Sequence, residues 1–144
     1  MRINGEWRQC DDGIVRPMIR GEIRAADGTW LSAEFLVDTG ADCTVLSAAL
    51  SSALGLRPIA PQGRLGGLGG TAGSVVLETE IHLPRDTGGL VRFSGPFAAV
   101  LELEALDISV LGRDITGVFA VIVDQPNGTV CLLRERHRYV IEEA

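Results

Sequence analysis

Apolar residues along this chain fall into short runs parted by glycine- and proline-bearing turns, and their dominant spacing is that of strands. Ile14-Val15, Met18-Ile19 and Ile23 lie on one extended stretch that ends at Asp27-Gly28, a dipeptide that favours a tight hairpin turn. Trp30 to Val37 alternates and then becomes wholly apolar at Phe35-Leu36-Val37, the pattern of a strand entering a core. Leu46, Leu50 and Leu54 recur at every fourth residue, with Ser47 placed as N-cap and Gly55 just past the end, which predicts a short amphipathic helix. The glycine-rich stretch from Gln62 to Gly73 leads into Ser74 to Leu83, where Val75, Leu77, Ile81 and Leu83 are apolar; together they read as a long, pliable hairpin. Pro84 to Gly89 is a turn, and Val91 to Leu101 is a strand region interrupted at Gly95-Pro96. Ile108 to Leu111 is a short buried strand ending at Gly112. After a helical turn, Val118 to Val123 and Thr129 to Leu133 flank Gln125-Pro126-Asn127-Gly128, a second hairpin. Tyr139-Val140-Ile141 predicts one more strand, at an edge or against a partner. No repeat, linker or break in composition divides residues 1–144, so the expectation is one all-β domain with one or two short helices.

Composition narrows the class. A chain of 144 residues, 46% hydrophobic and 22% charged, can bury a real core without metals or staples. The net charge of −6 argues against a nucleic-acid binder, which needs clustered positive charge. No apolar run approaches a membrane span, and residues 1–13 carry no apolar stretch of the signal-peptide type. Cys10, Cys43 and Cys131 make no disulfide framework, and a reducing compartment, the cytoplasm, fits them.

The chemistry concentrates at Phe35-Leu36-Val37-Asp38-Thr39-Gly40-Ala41-Asp42-Cys43-Thr44-Val45-Leu46. A carboxylate directly after three apolar strand residues is expensive to hold charged, and Gly40 lets the backbone turn sharply behind it. Asp-Thr-Gly alone is a common turn. Here it is bracketed by apolar runs on both sides, followed by a glycine-rich hairpin, and matched near the other end by Val110-Leu111-Gly112-Arg113-Asp114-Ile115. The order and spacing of these three elements resembles the retropepsin-like aspartic proteases, the family of retroviral and retrotransposon proteases and their cellular and bacterial relatives. The resemblance spans about residues 21–133; residues 1–20 and 134–144 match no element of the pattern, and their role stays open.

The resemblance implies a retropepsin-like closed β-barrel, the acid protease fold, with a glycine-rich flap hairpin. It implies that Asp38 is the catalytic aspartate and that each chain supplies only one, so the enzyme is a homodimer with its active site on the two-fold axis. Two carboxylates about 3 Å apart cannot both ionise and so share a proton. One then serves as general base toward a water while the other polarises the scissile carbonyl. By the same resemblance, the Thr39 hydroxyl locks the two loops together and Gly40 offers its carbonyl to substrate. Arg113 reaches Asp42 in a buried bidentate pair that buttresses the loop. Gly112 packs where a side chain would collide with the Asp38 loop. Gly66, Gly67, Leu68, Gly69 and Gly70 form the flap, which excludes water and donates backbone hydrogen bonds to an extended peptide. Ala41 has no hydroxyl to bond the carboxylate, so the expected rate optimum is less acidic than that of stomach-type enzymes. The partners implied are a second copy of the chain and a peptide or protein substrate, with no nucleic acid, membrane, metal or organic cofactor; the nucleophile is water.

Other readings compete at several points. Gly67-Leu68-Gly69-Gly70-Thr71-Ala72 also fits a loose dinucleotide fingerprint, which requires a helix after it where the pattern gives a strand. A purely structural loop is the plainer alternative to a flap. Asp86-Thr87-Gly88 repeats the tripeptide but follows Pro84-Arg85 rather than an apolar strand, and reads as a turn. Cys43 reads as a small buried residue without a neighbouring base, and His82 and His137 lack the spacing of zinc ligands. Arg134 to Arg138 reads as a solvated basic stretch. The expected function is a homodimeric aspartic endopeptidase. The rival from another class is a retropepsin-like dimerisation or peptide-binding module with weak or no turnover, because a motif does not measure a rate.

Overall fold

A computed structural model describes residues 1–67 and 70–134. Its first strands are ones that the apolar pattern does not announce. β1 (Arg2–Asn4) pairs antiparallel with β11 (Thr129–Leu133), placing Ile3 opposite Leu132, and β2 (Glu6–Gln9) pairs antiparallel with β3 (Val15–Arg24). Gly5 sits where the chain passes from one sheet to the other. Its N–H donates to the Val130 carbonyl at 2.8 Å, and a Cβ there would lie 2.4 Å from the Met18 carbonyl oxygen, so only glycine fits. Ile3 is fully buried, Trp7 packs on the core, and the Trp7 indole N–H donates to the Asp124 carbonyl at 3.2 Å. Residues 1–9 therefore belong to the fold rather than standing outside it.

The remaining elements follow the pattern closely. β4 (Trp30–Val37) returns from the Asp27-Gly28 turn with Phe35 fully buried. β5 (Val45–Leu46) leads into α1 (Ala48–Leu54). Ser47 caps this helix by accepting from the Leu50 N–H at 3.3 Å, and Gly55 ends it with φ 63°, a left-handed conformation suited to glycine. β6 (Ala60–Gly67) and β7 (Gly70–Pro84) form the glycine-rich hairpin, with Leu65 opposite Ala72 and Gly67 opposite Gly70; Leu68 and Gly69 lie outside the described residues. A strand, not a helix, follows Gly70, so the dinucleotide fingerprint lacks its structural context.

β8 (Leu90–Val100) corrects the expected break at Gly95-Pro96. Its register against β7 runs unshifted from Pro84 opposite Leu90 to Ser74 opposite Val100, because β5 pairs with β8 only at Ala98 and Ala99 and leaves the stretch at Pro96 an edge on its other side. Asp86-Thr87-Gly88 forms the turn between them, with the Gly88 N–H donating to the Arg85 carbonyl at 3.1 Å. β9 (Ser109–Leu111), α2 (Arg113–Thr116), β10 (Ala120–Asp124) and β11 complete the described chain. The expected strand at Tyr139–Ile141 lies outside it, as do His137 and most of the basic stretch.

Two sheets result. The smaller has the order β1-β11-β10, and the larger β2-β3-β4-β9-β5-β8-β7-β6. A further pairing of β3 with β7, Glu22 opposite His82 and Ile23 opposite Ile81, joins β3, β4, β9, β5, β8 and β7 into a closed ring. Ile19, Ile23, Phe35, Leu46, Leu77, Ile81, Leu83 and Leu111 fill it at essentially zero exposure, which makes this a packed β-barrel with two short helices. Among the described residues no helix is long and apolar enough to cross a membrane.

Candidate active site

Within the barrel β4 and β9 run parallel, with Val37 beside Leu111, so the chain leaves both strands at the same level. The Asp38 N–H donates to the Leu111 carbonyl at 3.2 Å, which fixes the start of the Asp38 loop against the segment carrying Gly112, Arg113 and Asp114. Asp38 is half-buried. Its Oδ1 accepts the Gly40 N–H at 2.9 Å, and the Ala41 N–H donates to the Asp38 carbonyl at 3.3 Å. A Cβ on Gly40 would stand 3.2 Å from that same Oδ1, so the bare glycine is what lets the amide approach the acid.

The second wall of the loop is built around Thr44, which is fully buried. Its hydroxyl donates to Asp114 Oδ1 at 2.7 Å and accepts the Gly112 N–H at 3.1 Å. The same carboxylate oxygen accepts the Thr44 N–H and the Ile115 N–H, both at 2.9 Å. Gly112 lies so close to Cys43 that a Cβ would fall 2.2 Å from its carbonyl carbon. That is the close approach expected of Gly112, made by the Cys43 backbone. Thr44 and Asp114 are structural keystones that the motif reading left without a role. The available signals were a threonine between apolar residues entering a strand and an acid in the first turn of a short helix.

Arg113 does reach Asp42, but not as a buried bidentate pair. Nη2 bonds Asp42 Oδ1, while Nη1 donates to the Thr39 carbonyl at 3.2 Å, so the guanidinium divides its fork between a carboxylate and the backbone. Their side chains are 55% and 86% exposed. The cause is local: the Arg113 N–H donates to the Ala41 carbonyl at 2.9 Å, which lays residue 113 along the outer side of the loop. In water such a pair adds ~1 kcal/mol or less, so its effect is to fix the loop's shape.

Cys43 is half-buried, and burial, with the Asp114 and Asp42 carboxylates nearby, pushes its thiol pKa up; it is no activated nucleophile. His82 is buried, bonded to Glu80 and stacked on Trp30 with ring centroids 3.8 Å apart. Gly66, Gly67 and Gly70 lie on the arms of the β6–β7 hairpin, braced by Arg64, whose Nε donates to Thr71 Oγ1 at 3.0 Å. Among the described residues no hydrogen bond links this hairpin to the Asp38 loop. A concavity of about 410 Å³ lies apart from that loop, walled by β2, β3, β4, α1 and residues 107–109, and the two arginines lining it are paired, Arg8 with Glu34 and Arg16 with Asp12.

A closed barrel that presents an acid between a parallel strand end and a Gly-Arg-Asp element is the retropepsin fold. Residues 22–115, which contain Asp38, the hairpin and Gly112 to Asp114, match the family model described as aspartyl protease, and the chain belongs to that family. Among solved structures it is similar to EIAV protease complexed with the inhibitor HBY-793. That likeness has 25% identity and a TM-score of 0.50, and covers 71% of this chain and 86% of the viral one. A retropepsin-like aspartic protease from Rickettsia conorii shares the fold at 18% identity and TM-score 0.55, over 92% of this chain and 97% of that one. No curated protein matches the sequence significantly.

Proposed function

We propose that this chain is a homodimeric aspartic endopeptidase in which two Asp38 carboxylates, one from each copy, activate a water. The observation that carries the reading is the incompleteness of the site in one chain. Asp38 Oδ2 and the Thr39 hydroxyl have no hydrogen-bond partner among the described residues, and Thr39 is exposed. The neighbouring acids are already committed, Asp42 to Arg113 and Asp114 to Thr44 and Ile115. A second carboxylate for a dyad therefore comes from a second copy, and the Thr39 hydroxyls bond across the two-fold axis between them.

The chemistry then follows from proton sharing. Two carboxylates held close carry one proton between them and titrate as a unit. The ionised acid takes a proton from water as its oxygen bonds to the peptide carbonyl carbon, and the protonated acid gives its proton to the carbonyl oxygen. Collapse of the resulting diol breaks the C–N bond as a carboxyl proton passes to the leaving nitrogen. Gly40 offers its carbonyl to the substrate backbone, Ala41, Asp42, Gly112 and Arg113 hold the loop, and Gly66 to Gly70, Leu68 and Gly69 included, form a flap over an extended peptide. The substrate residues next to the cut are apolar, as are the surroundings of Asp38. The three free thiols fit a cytoplasmic setting. The pairing of β1 with β11 supports reading the whole chain as one domain.

The test is cleavage of a peptide library by wild type and Asp38→Asn, with sedimentation of both. Loss of at least ~10²-fold in Asp38→Asn, with a dimer as the active species, is the expected result. Equal cleavage by both proteins removes Asp38 from the mechanism, and activity in a strict monomer removes the dyad. Peptide binding without cleavage by either protein supports the binding-module reading instead.

A further inference from the structure

Resting on the proposed role of the β6–β7 hairpin as a flap, we infer that Glu102 is a positioning residue whose carboxylate fixes the point at which that hairpin leaves the barrel. The β7–β8 ladder ends at Ser74 opposite Val100. One residue nearer the tip, Gly73 turns both of its main-chain groups toward the segment that follows β8. Its carbonyl accepts the Leu101 N–H at 3.0 Å, and its N–H donates to Glu102 Oε1 at 3.2 Å. β8 has ended by then, and the chain turns away, with the Ala105 N–H donating to the Glu102 carbonyl at 3.2 Å. A side-chain carboxylate thus stands where the next strand carbonyl would have been.

From Gly70 to Ala72, β7 pairs only with β6, and a two-stranded ribbon has little orientation of its own. Arg64 braces the ribbon internally, Nε and Nη2 donating to Thr71 Oγ1 and the Thr71 carbonyl at 3.0 and 3.2 Å, and on the last rung of the barrel ladder the Ser74 hydroxyl holds β6 by donating to the Gly63 carbonyl at 3.1 Å. Glu102 adds a side-chain bond to the ribbon's root from the segment that follows β8. The glycine at 73 belongs to the same device, because a Cβ there would lie 3.2 Å from Glu102 Oε1. A side chain at position 73 pushes the carboxylate back by a few tenths of an ångström, enough to lengthen a bond that is already 3.2 Å. An anchored root holds the ribbon in one orientation for an incoming peptide; a released root makes the peptide order it, which weakens binding and leaves the Asp38 chemistry untouched.

The experiment compares Glu102→Ala, Glu102→Gln, Gly73→Ala and the Glu102→Ala/Gly73→Ala double variant. The readouts are amide hydrogen exchange at residues 70 and 73, and the kinetics of a quenched fluorogenic peptide with apolar residues around its central bond. In Glu102→Ala the residue-73 amide exchanges about tenfold faster and KM rises ~3–10-fold, with kcat within about twofold. Glu102→Gln, whose side-chain carbonyl accepts the same bond, stays within about threefold of wild type in both readouts. Gly73→Ala shifts both readouts in the same direction as Glu102→Ala and by no more, and the double variant is no looser than Glu102→Ala alone, because both act on one bond. Unchanged exchange at residue 73 in Glu102→Ala, or a Gln variant as loose as the Ala variant, overturns the inference. Exchange is read whether or not the peptide is cut. A wild type that cleaves nothing while Glu102→Ala loosens residue 73 refutes the endopeptidase reading and leaves the anchor standing. A cleaving wild type whose exchange and KM ignore Glu102 does the reverse.

Discussion

Thr44→Val tests the wall behind the Asp38 loop most directly. The replacement keeps the branched shape and removes only the hydroxyl, which accepts from Gly112 N–H at 3.1 Å and donates to Asp114 Oδ1 at 2.7 Å. Gly112 is buried and packed on the Cys43 backbone, so its N–H is left without an acceptor, at a cost of ~1–3 kcal/mol. The bond to the Asp114 carboxylate counts for less, because Asp114 is solvent-exposed and keeps the Thr44 and Ile115 amides at 2.9 Å. The extra valine methyl returns ~0.8 kcal/mol by burial. The expected net loss is about 1–3 kcal/mol, read as a lower urea midpoint at constant m-value and at one fixed protein concentration. Thr44→Ser keeps the hydroxyl and loses one buried methyl, so it falls by only ~1 kcal/mol. A valine variant within ~0.5 kcal/mol of wild type, or a serine variant worse than the valine one, refutes the reasoning.

Three further outcomes follow from the same geometry. Gly112→Ala drives a Cβ to 2.2 Å from the Cys43 carbonyl carbon, a backbone atom that cannot swing aside, so the thermal midpoint drops sharply and the loop shifts in amide exchange; a midpoint within a degree of wild type contradicts the packing. Arg16 holds the Asp12 carboxyl at about 2, below its ordinary 3.8. A carboxylate depressed in the folded state adds stability that is complete above the unfolded pKa and is lost as pH falls through the folded one. The stability gap between wild type and Arg16→Gln is therefore full above about pH 4 and closes as the pH falls from about 4 to about 2, as a thermal-melt series against pH will show. Cleavage by wild type peaks above about pH 3, and Ala41→Thr, by adding a hydroxyl donor beside Asp38, moves the acid limb lower; an unmoved limb argues against that hydroxyl reaching the carboxylate.

Much of the barrel was visible in local chemistry. Ser47 and Gly55 bracket α1 because capping is a property of a few adjacent residues, and Phe35-Leu36-Val37 announces a core strand ending at an acid. β1 and β2 were invisible because each is three or four residues long and shows only one apolar residue, and β1 also finds its partner far along the chain, Ile3 opposite Leu132. The continuity of β8 through Pro96 likewise depends on β7 beside it, not on Pro96 itself. At the site, the partnership of Asp42 and Arg113 was legible as opposite charges in a known order. Its depth was not, since exposure depends on the side of the loop along which Arg113 is laid. Thr44 and Asp114 went unassigned for a similar reason, because a buried hydroxyl gains its meaning only when Gly112 and a helix start are brought against it.

The threading of the first strands also bears on how such a molecule can be switched. Met1 and Arg2 carbonyls take the Arg134 and Asp86 amides, and Ile3 plugs the small sheet. A cut within residues 2–8 would take β1 from the small sheet, or β1 with part of β2 from the edge of the large one, rather than lift a cover. Trimming at this end is expected to lower stability, because Ile3 loses its buried place opposite Leu132.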